Sequence, residues 1–114
     1  MERVNIAEKF ARFAAQWQSK IVAELNGQEV KLVKVQGTFP WHHHDDVEEM
    51  FLVWRGRFRV EFRDRIVELG PGELVVVPRG VEHRTAEFRG EGTIIDELIF
   101  HPPNGTFIAK RVDV

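Results

Sequence analysis

The sequence predicts an all-β fold, an antiparallel sandwich or barrel with one short N-terminal helix. Between about eight and ten short segments have the apolar patterning of strands, and turn residues separate them. These segments do not alternate with helical patterns, so a parallel sheet is not expected. A chain of 114 residues is long enough to bury one hydrophobic core, and we expect a single domain over residues 1–114.

One helical pattern lies near the N-terminus, over about residues 5–17. Asn5 and Glu8 have the spacing of a capping box. Apolar residues then recur on one helix face, at Ile6, Phe10, Phe13 and Trp17. Such a stripe must cover apolar surface, which is either the chain's own sheet or a partner subunit, and the chain's own sheet is favoured.

The barrel is predicted over about residues 20–101. KIVAEL and EVKLVKV flank Asn26-Gly27, a dipeptide suited to a two-residue hairpin because both residues readily adopt positive φ. Phe58, Val60 and Phe62 alternate with charged residues, which predicts a strand with one buried and one solvated face. IVEL, ELVVVP, VEHRTAEF and TIIDELIF follow as further strands. Residues 102–114 begin with two prolines and are expected to form a C-terminal edge segment.

Composition limits the classes of partner and compartment. The net charge of −2 gives no electrostatic footprint for nucleic acid, and no apolar run approaches the length of a membrane span. The N-terminus lacks the apolar core of a signal peptide, and cysteine is absent. We therefore expect a cytoplasmic protein whose partner is a small molecule or another protein.

Three histidines and four carboxylates lie between Pro40 and Gly56. In an extended segment His42 and His44 point to one side while His43 points away, and Glu49 shares a strand face with apolar residues. A carboxylate that enters an apolar interior needs a partner because desolvation disfavours its charge. A divalent metal ion bound by His42, His44, Glu49 and His83 would satisfy these placements. The alternative is a solvated histidine-rich turn without a metal.

Two sequence motifs around these residues resemble those of the cupin family, small β-barrel proteins with a metal centre inside the barrel. The first motif runs from Gly37 through His42-x-His44 and Glu49 to Gly56, and the second from Gly72 through Pro78-x-Gly80 to His83. The resemblance extends over about residues 37–87. It implies an antiparallel double-stranded β-helix, or jelly-roll barrel, with His42, His44, His83 and Glu49 as metal ligands. Glu48 is a rival ligand, but the six-residue step to Gly56 favours Glu49.

Two departures from the family pattern concern turns rather than ligands. Four residues separate Gly37 from His42 where five are usual, and Glu87 stands where asparagine usually ends the second motif.

Three imidazoles and one carboxylate suit a single Fe, Mn, Ni, Zn or Cu ion, and without cysteine a sulfur-rich site is excluded.

The resemblance leaves two classes of function open. The first is a metal-dependent enzyme, either an oxygenase or an isomerase or lyase, and small cupins are similar to sugar-phosphate isomerases of the mannose-6-phosphate type. The second is a non-catalytic module that binds or senses a small molecule.

Candidate catalytic groups are Glu48, Glu87 and His101. Arg79 and Arg84 are candidates for contact with an anionic substrate, although solvated arginines are the default. Trp41, Phe51, Trp54 and Phe62 are candidates to line a pocket, although core positions are favoured. The apolar helix and first hairpin, together with the resemblance, also indicate a homodimer.

Overall fold

The structure is a computed structural model that describes residues 2–25, 28–87 and 95–101, with the backbone alone for residues 87 and 95–101. Within these ranges it contains one short helix, α1 (Ile6–Ala11), and eight strands. The strands are β1 (Lys20–Leu25), β2 (Gln28–Val35), β3 (Glu49–Arg55), β4 (Phe58–Phe62), β5 (Ile66–Leu69), β6 (Leu74–Val77), β7 (His83–Glu87) and β8 (Ile95–His101). The predicted all-β class with one N-terminal helix is confirmed.

The strands form two antiparallel sheets. One has five strands in the order β1-β2-β8-β3-β6, and the other has three in the order β5-β4-β7. The sheets pack against each other because each buries one apolar face, as in the predicted barrel. The core between them contains Val33, Val35, Phe51, Val53, Phe58, Val60, Phe62, Leu69 and Val77.

Strand β4 buries the face that its alternation predicts, with Val60 fully buried at 0% exposure. The opposite face differs from the expectation at one residue. Glu61 is only 8% exposed because the Arg84 guanidinium covers it and donates hydrogen bonds of 2.7 and 3.4 Å to its carboxylate. A charge-assisted pair of this kind allows a carboxylate to be buried at a nominally solvated position.

Helix α1 is shorter than the predicted helix of about residues 5–17. Asn5 caps it, accepting a hydrogen bond of 3.0 Å from the Glu8 backbone N–H, and Arg12 is its C-cap residue. The expected extension to Trp17 was wrong because the Trp17 N–H donates to the Lys34 carbonyl instead, at 2.8 Å. A short helix has little intrinsic stability, so pairing with the sheet prevails over continuing the helix.

The apolar face of α1 covers the chain's own sheet, as favoured from the sequence. Phe10 is 3% exposed and packs in a second cluster with Val22, Val30 and Leu32. This cluster lies on the face of the five-stranded sheet opposite to the core, because the side chains of Leu32 and Val33 point to opposite sides of β2. The helix therefore closes the outer face of β1 and β2.

The first hairpin is antiparallel as predicted, with Leu25 opposite Gln28. Its turn at Asn26-Gly27 and the predicted edge segment 102–114 lie outside the described residues. Within the described ranges, no helix combines the length and the hydropathy that crossing a membrane requires.

Candidate metal centre

The segment between β2 and β3 is held against β7 by backbone hydrogen bonds. His42 and His83 form an antiparallel bridge in which each N–H donates to the other's carbonyl, at 3.0 and 2.9 Å. On one side of the bridge the Phe39 N–H donates to the Thr85 carbonyl at 2.8 Å, and on the other the Gly80 N–H donates to the His44 carbonyl at 2.7 Å. These bonds bring the two histidine-bearing segments together.

Glu49 reaches the same place from the start of β3. It begins the inward face that continues with Phe51 and Val53, and it is 8% exposed. Its Oε1 atom lies 3.6 Å from Nε2 of His83 and 3.7 Å from Nε2 of His44. The prediction that Glu49 enters the apolar interior is confirmed.

The structure brings together all four predicted ligand residues. One potential ligand atom from each of His42, His44, Glu49 and His83 lies within 4.8 Å of the others. The ring centroids of His42 and His83 are 4.3 Å apart, and those of His42 and His44 are 5.2 Å apart. We call these four residues the quartet.

Two backbone carbonyls fix the tautomers of two quartet histidines. Nδ1 of His42 lies 2.9 Å from the Pro40 carbonyl oxygen, and Nδ1 of His83 lies 2.9 Å from the Val81 carbonyl oxygen. A carbonyl oxygen can only accept a hydrogen bond, so Nδ1 carries the proton in each ring. In the neutral rings, the Nε2 lone pairs are thereby left available for an ion, as in metal sites whose histidines donate their other N–H to a carbonyl.

The two histidines have opposite pKa shifts. Burial lowers the pKa of His42 below its usual 6.5, the bond to Pro40 only partly opposes this, and the neighbouring His83 and His44 lower it further. For His83, burial again acts to lower the pKa, but the Glu49 carboxylate and the Val81 carbonyl outweigh it and raise the pKa above 6.5. The carboxylate that favours a proton on His83 also favours a metal cation beside it.

Besides the residue types, the state of one buried nitrogen atom indicates that the quartet fits a metal ion. His83 is fully buried at 0% exposure, and its Nε2 atom makes no hydrogen bond within the described part of the chain. A buried polar atom in that state is costly. Typical ligand distances of about 2.0–2.2 Å put two ligand atoms of one ion roughly 3–3.5 Å apart. The separations of 3.6 and 3.7 Å need only a small contraction to reach that range.

A cavity of about 280 Å³ adjoins the quartet. His42, His44 and Glu49 line it, while His83 lies behind them. Its remaining walls are mostly apolar and come from Trp17, Ser19, Val33, Val35, Phe39, Phe51 and Thr85. A small molecule in this cavity would be in contact with three of the four quartet residues.

The other residues singled out from the sequence lie elsewhere. His43 is exposed, with Nε2 at 3.1 Å from the Asp45 carboxylate, and it does not belong to the group of converging ligand residues. Glu48 is exposed and lines a separate groove with Arg79. The side chains of Glu87 and His101, the other two candidate catalytic residues, lie outside the described part of the structure.

Of the four aromatic residues considered as pocket liners, Phe51 alone lines the cavity. Phe62 is buried in the core, and Trp54 lies on the outer surface, 43% exposed, near Phe10. Trp41 contacts the guanidinium groups of Arg63 and Arg84, which lie 3.8 and 5.1 Å from its ring centroid. Arg84 is engaged with Glu61 rather than with the cavity.

Sequence reasoning missed two aromatic residues that line the cavity, Trp17 and Phe39. The sequence pattern favours a helix that includes Trp17, yet its φ of 60° takes it out of helical geometry, and its ring centroid lies 5.4 Å from that of Phe39. Phe39 lies three residues before His42, and this nearness to the first motif was the one signal that could have identified it.

The comparisons with known proteins agree with the fold. The sequence model of the family described as Cupin domain matches residues 26–95, which is more than half of the chain. The uncharacterized protein YdbB of Bacillus subtilis is 31% identical over 85 residues, covering 74% of this chain and 69% of that protein.

Solved structures show the same likeness. A cupin-2 domain containing protein from Shewanella frigidimarina is 37% identical, with a TM-score of 0.82 over 88% of this chain and 94% of that chain. Protein NMB1881 from Neisseria meningitidis is 29% identical, with a TM-score of 0.74 over 88% of this chain and 99% of that chain. Because the family model covers most of the chain and the fold agrees, this chain belongs to the cupin family.

Proposed function

We propose that this cupin binds one divalent transition metal ion through the quartet and acts as a metal-dependent enzyme on a small molecule in the adjoining cavity. The observation that carries the proposal is the convergence of four potential ligand atoms within 4.8 Å, beside a cavity that three of the four residues line. His42 and His83 would present neutral Nε2 atoms, and Glu49 would supply the negative charge.

The donor set suits Fe, Mn, Ni, Zn or Cu, all of which accept imidazole ligands. A bound ion of this kind polarises oxygen atoms of a ligand and, with five or six coordination positions, leaves one or two open beside four protein ligands. The protein's own contribution is to fix the ligand geometry and to limit water. The apolar walls at Val33, Val35 and Phe51 serve the second purpose.

The cavity supports an oxygenase better than an isomerase or a lyase. Isomerases and lyases move protons between carbon and a side chain, which requires a positioned acid or base. Among the described residues, the lining has no titratable side chain apart from His42, His44 and Glu49, all of which belong to the quartet. Chemistry centred on the metal does not depend on an additional proton-transfer residue.

The same lining disfavours a sugar phosphate as the substrate. A phosphate group is usually bound by arginine, lysine or a row of backbone N–H groups. Neither arginine nor lysine lines the cavity within the described residues. We therefore do not extend the resemblance to the mannose-6-phosphate isomerases to the reaction of this chain.

A non-catalytic binding module is the second candidate. The observation that favours it is again the scarcity of proton-transfer groups, because a module that only holds a ligand needs none. In that case the ion would serve as the anchor for an oxygen atom of the ligand. The two candidates share the metal site and differ in whether the ligand is changed.

The metal site is tested by elemental analysis of protein purified without a polyhistidine tag and dialysed against Mn, Fe, Ni or Zn salts. We expect about one ion per chain in the wild type, loss of the ion in His42→Ala and His83→Ala, and retention in the matched control His43→Ala. A wild type that binds none of these metals near neutral pH, or loss of the ion in His43→Ala alone, would contradict the proposal.

Catalysis is tested separately with the Fe²⁺-loaded protein in an oxygen electrode, using a panel of small catechols and hydroxy acids. Oxygen uptake that depends on both substrate and His83 supports the oxygenase. If panel members bind the metal-loaded protein and are recovered unchanged without oxygen uptake, the binding module is favoured.

A further inference from the structure

We infer that Trp17 and Phe39 form a subsite that stacks a planar, uncharged ring of the ligand, whose oxygen atoms point to the quartet. This inference rests on the metal centre proposed above and names the class of small molecule that the cavity accepts: an aromatic or similarly flat ring that carries a metal-directed oxygen donor.

The first supporting observation is the position of the two rings. Trp17 and Phe39 both line the cavity, and their ring centroids are 5.4 Å apart at an interplanar angle of 31°. The Phe39 ring also meets the His42 ring edge to face, with centroids 4.9 Å apart. The aromatic surface is therefore continuous with a proposed metal ligand, and a ligand that extends along this wall from the quartet would contact it.

The two rings retain exposed surface. Trp17 is 39% exposed and Phe39 is 41% exposed, so part of each aromatic side chain is accessible to a ligand in the cavity that both of them line. Accessible aromatic rings favour offset or edge-to-face packing with another planar ring.

Trp17 is held in place by two hydrogen bonds and by an uncommon backbone conformation. Its φ of 60° is in the left-handed region, which a bulky residue rarely adopts. The Trp17 N–H donates to the Lys34 carbonyl at 2.8 Å, and its indole Nε1–H donates to the Gln36 carbonyl at 3.1 Å. The Trp17 backbone is thus bonded to β2 and its indole to Gln36, the residue after β2, and these two bonds set the ring beside Phe39.

The side chains of the cavity lining outside the quartet disfavour ligands that carry a charge away from the metal. Within the described residues, the cavity lining outside the quartet contains no charged side chain, and its polar groups there are the hydroxyls of Ser19 and Thr85. An anionic or cationic substituent placed away from the metal would lose its hydration without gaining a partner. A neutral ring loses only apolar hydration and gains contact with Trp17, Phe39 and the valine walls.

The experiment compares three hydroxamates that offer a metal the same two oxygen atoms and differ in the attached group. Acetohydroxamate carries a methyl group, benzohydroxamate a planar ring, and cyclohexanecarbohydroxamate an apolar ring that is not flat. Their affinities for the Zn²⁺-loaded protein are measured by calorimetry, and zinc occupancy is measured for every variant. Quenching of tryptophan fluorescence gives a second readout.

We expect benzohydroxamate to bind about two- to tenfold more tightly than cyclohexanecarbohydroxamate, as stacking energies indicate. In Trp17→Ala and in Phe39→Ala, that ratio should fall toward one, and zinc occupancy and acetohydroxamate affinity, measured for the same variants, report separately any effect on the metal site. Trp54→Ala is the matched control, because Trp54 is similarly exposed but lies outside the cavity, and it should keep the wild-type ratio.

Full zinc occupancy with no preference for the planar ring, or a preference that survives both Trp17→Ala and Phe39→Ala, overturns this inference and leaves the metal site intact. A wild type that binds no zinc, with none of the other metals bound, overturns the proposed function and this inference with it. The occupancy measurement therefore separates the two failures.

Discussion

His42 and His83 face each other across an antiparallel bridge in which each backbone N–H donates to the other's carbonyl, at 3.0 and 2.9 Å. Such a pair holds its two Cα atoms about 5.5 Å apart, so the backbone itself sets the spacing of two proposed ligands. The bridge joins segments about 40 residues apart in the chain. Changes that loosen this pairing should therefore weaken metal binding without removing a ligand.

Gly80 provides one such change. Its N–H donates to the His44 carbonyl at 2.7 Å, and its φ is 77° with nothing within 4 Å of an added Cβ. The cost of Gly80→Ala would thus arise from backbone conformation, and we expect the free energy of unfolding to fall by about 1–2 kcal/mol. Urea denaturation of the metal-free protein measures this, and metal titration should show weaker binding. Gly80→Asn should cost less because asparagine tolerates positive φ; equal losses for both variants would argue against this explanation.

A substitution of Trp41 is a second change that should loosen the pairing of the two histidine-bearing segments. It contacts Arg63 at 3.8 Å and Arg84 at 5.1 Å, and it precedes His42 while Arg84 follows His83. Two exposed cation–π contacts contribute about 1–2 kcal/mol together. We expect Trp41→Ala to lower the unfolding free energy by about that amount and to weaken metal affinity severalfold while one ion per chain still binds. Trp54→Ala serves as the control for loss of an exposed tryptophan. Unchanged metal affinity in Trp41→Ala would show that Trp41 does not position His42.

Metal affinity should fall as the pH falls, because protons compete with the ion for Nε2. Because the pKa of His83 is raised, its proton begins to compete with the ion at a pH above 6.5 and continues to do so at lower pH, whereas the lowered pKa of His42 means that its proton competes only at lower pH. One proton should therefore be displaced from His83 in the upper window, and further protons below it, so the plot of log affinity against pH should steepen on acidification. Calorimetry in buffers of different ionisation enthalpy counts these protons. An affinity that is constant between about pH 5.5 and pH 8 would be incompatible with imidazole ligands.

A homodimer remains a prediction. The helix buries its apolar face on its own sheet, but Trp54, Leu74 and Val76 are 43%, 50% and 47% exposed on β3 and β6. Strand β6 ends the five-stranded sheet among the described residues, and a second copy could cover both this edge and the apolar patch. Light scattering at micromolar concentration should give twice the monomer mass, and Leu74→Glu should shift the protein to monomer. Ile66→Glu, on β5 of the other sheet, should not; a monomeric wild type would remove the prediction.

The alternation of apolar residues was enough to predict most strands closely. Lys20–Leu25, Phe58–Phe62 and Ile66–Leu69 match the sequence segments because residues two apart share a strand face, and burial of one face is a local property of the pattern. Glu61 shows where this reasoning ends. Its burial depends on Arg84, 23 positions away, and no local pattern contains that pairing.

The types of metal-binding residue and their approximate grouping were determined by the sequence alone. His42, His44, Glu49 and His83 stand at family spacing, and a carboxylate on an apolar strand face demands a partner wherever the strand is placed. Only the tertiary structure decided that the quartet converges, that two carbonyls orient its rings, and that Trp17 leaves the helix to line the cavity. These features depend on backbone bonds between distant segments, such as that between Trp17 and Lys34, whereas side-chain periodicity reports only on neighbours within a few residues.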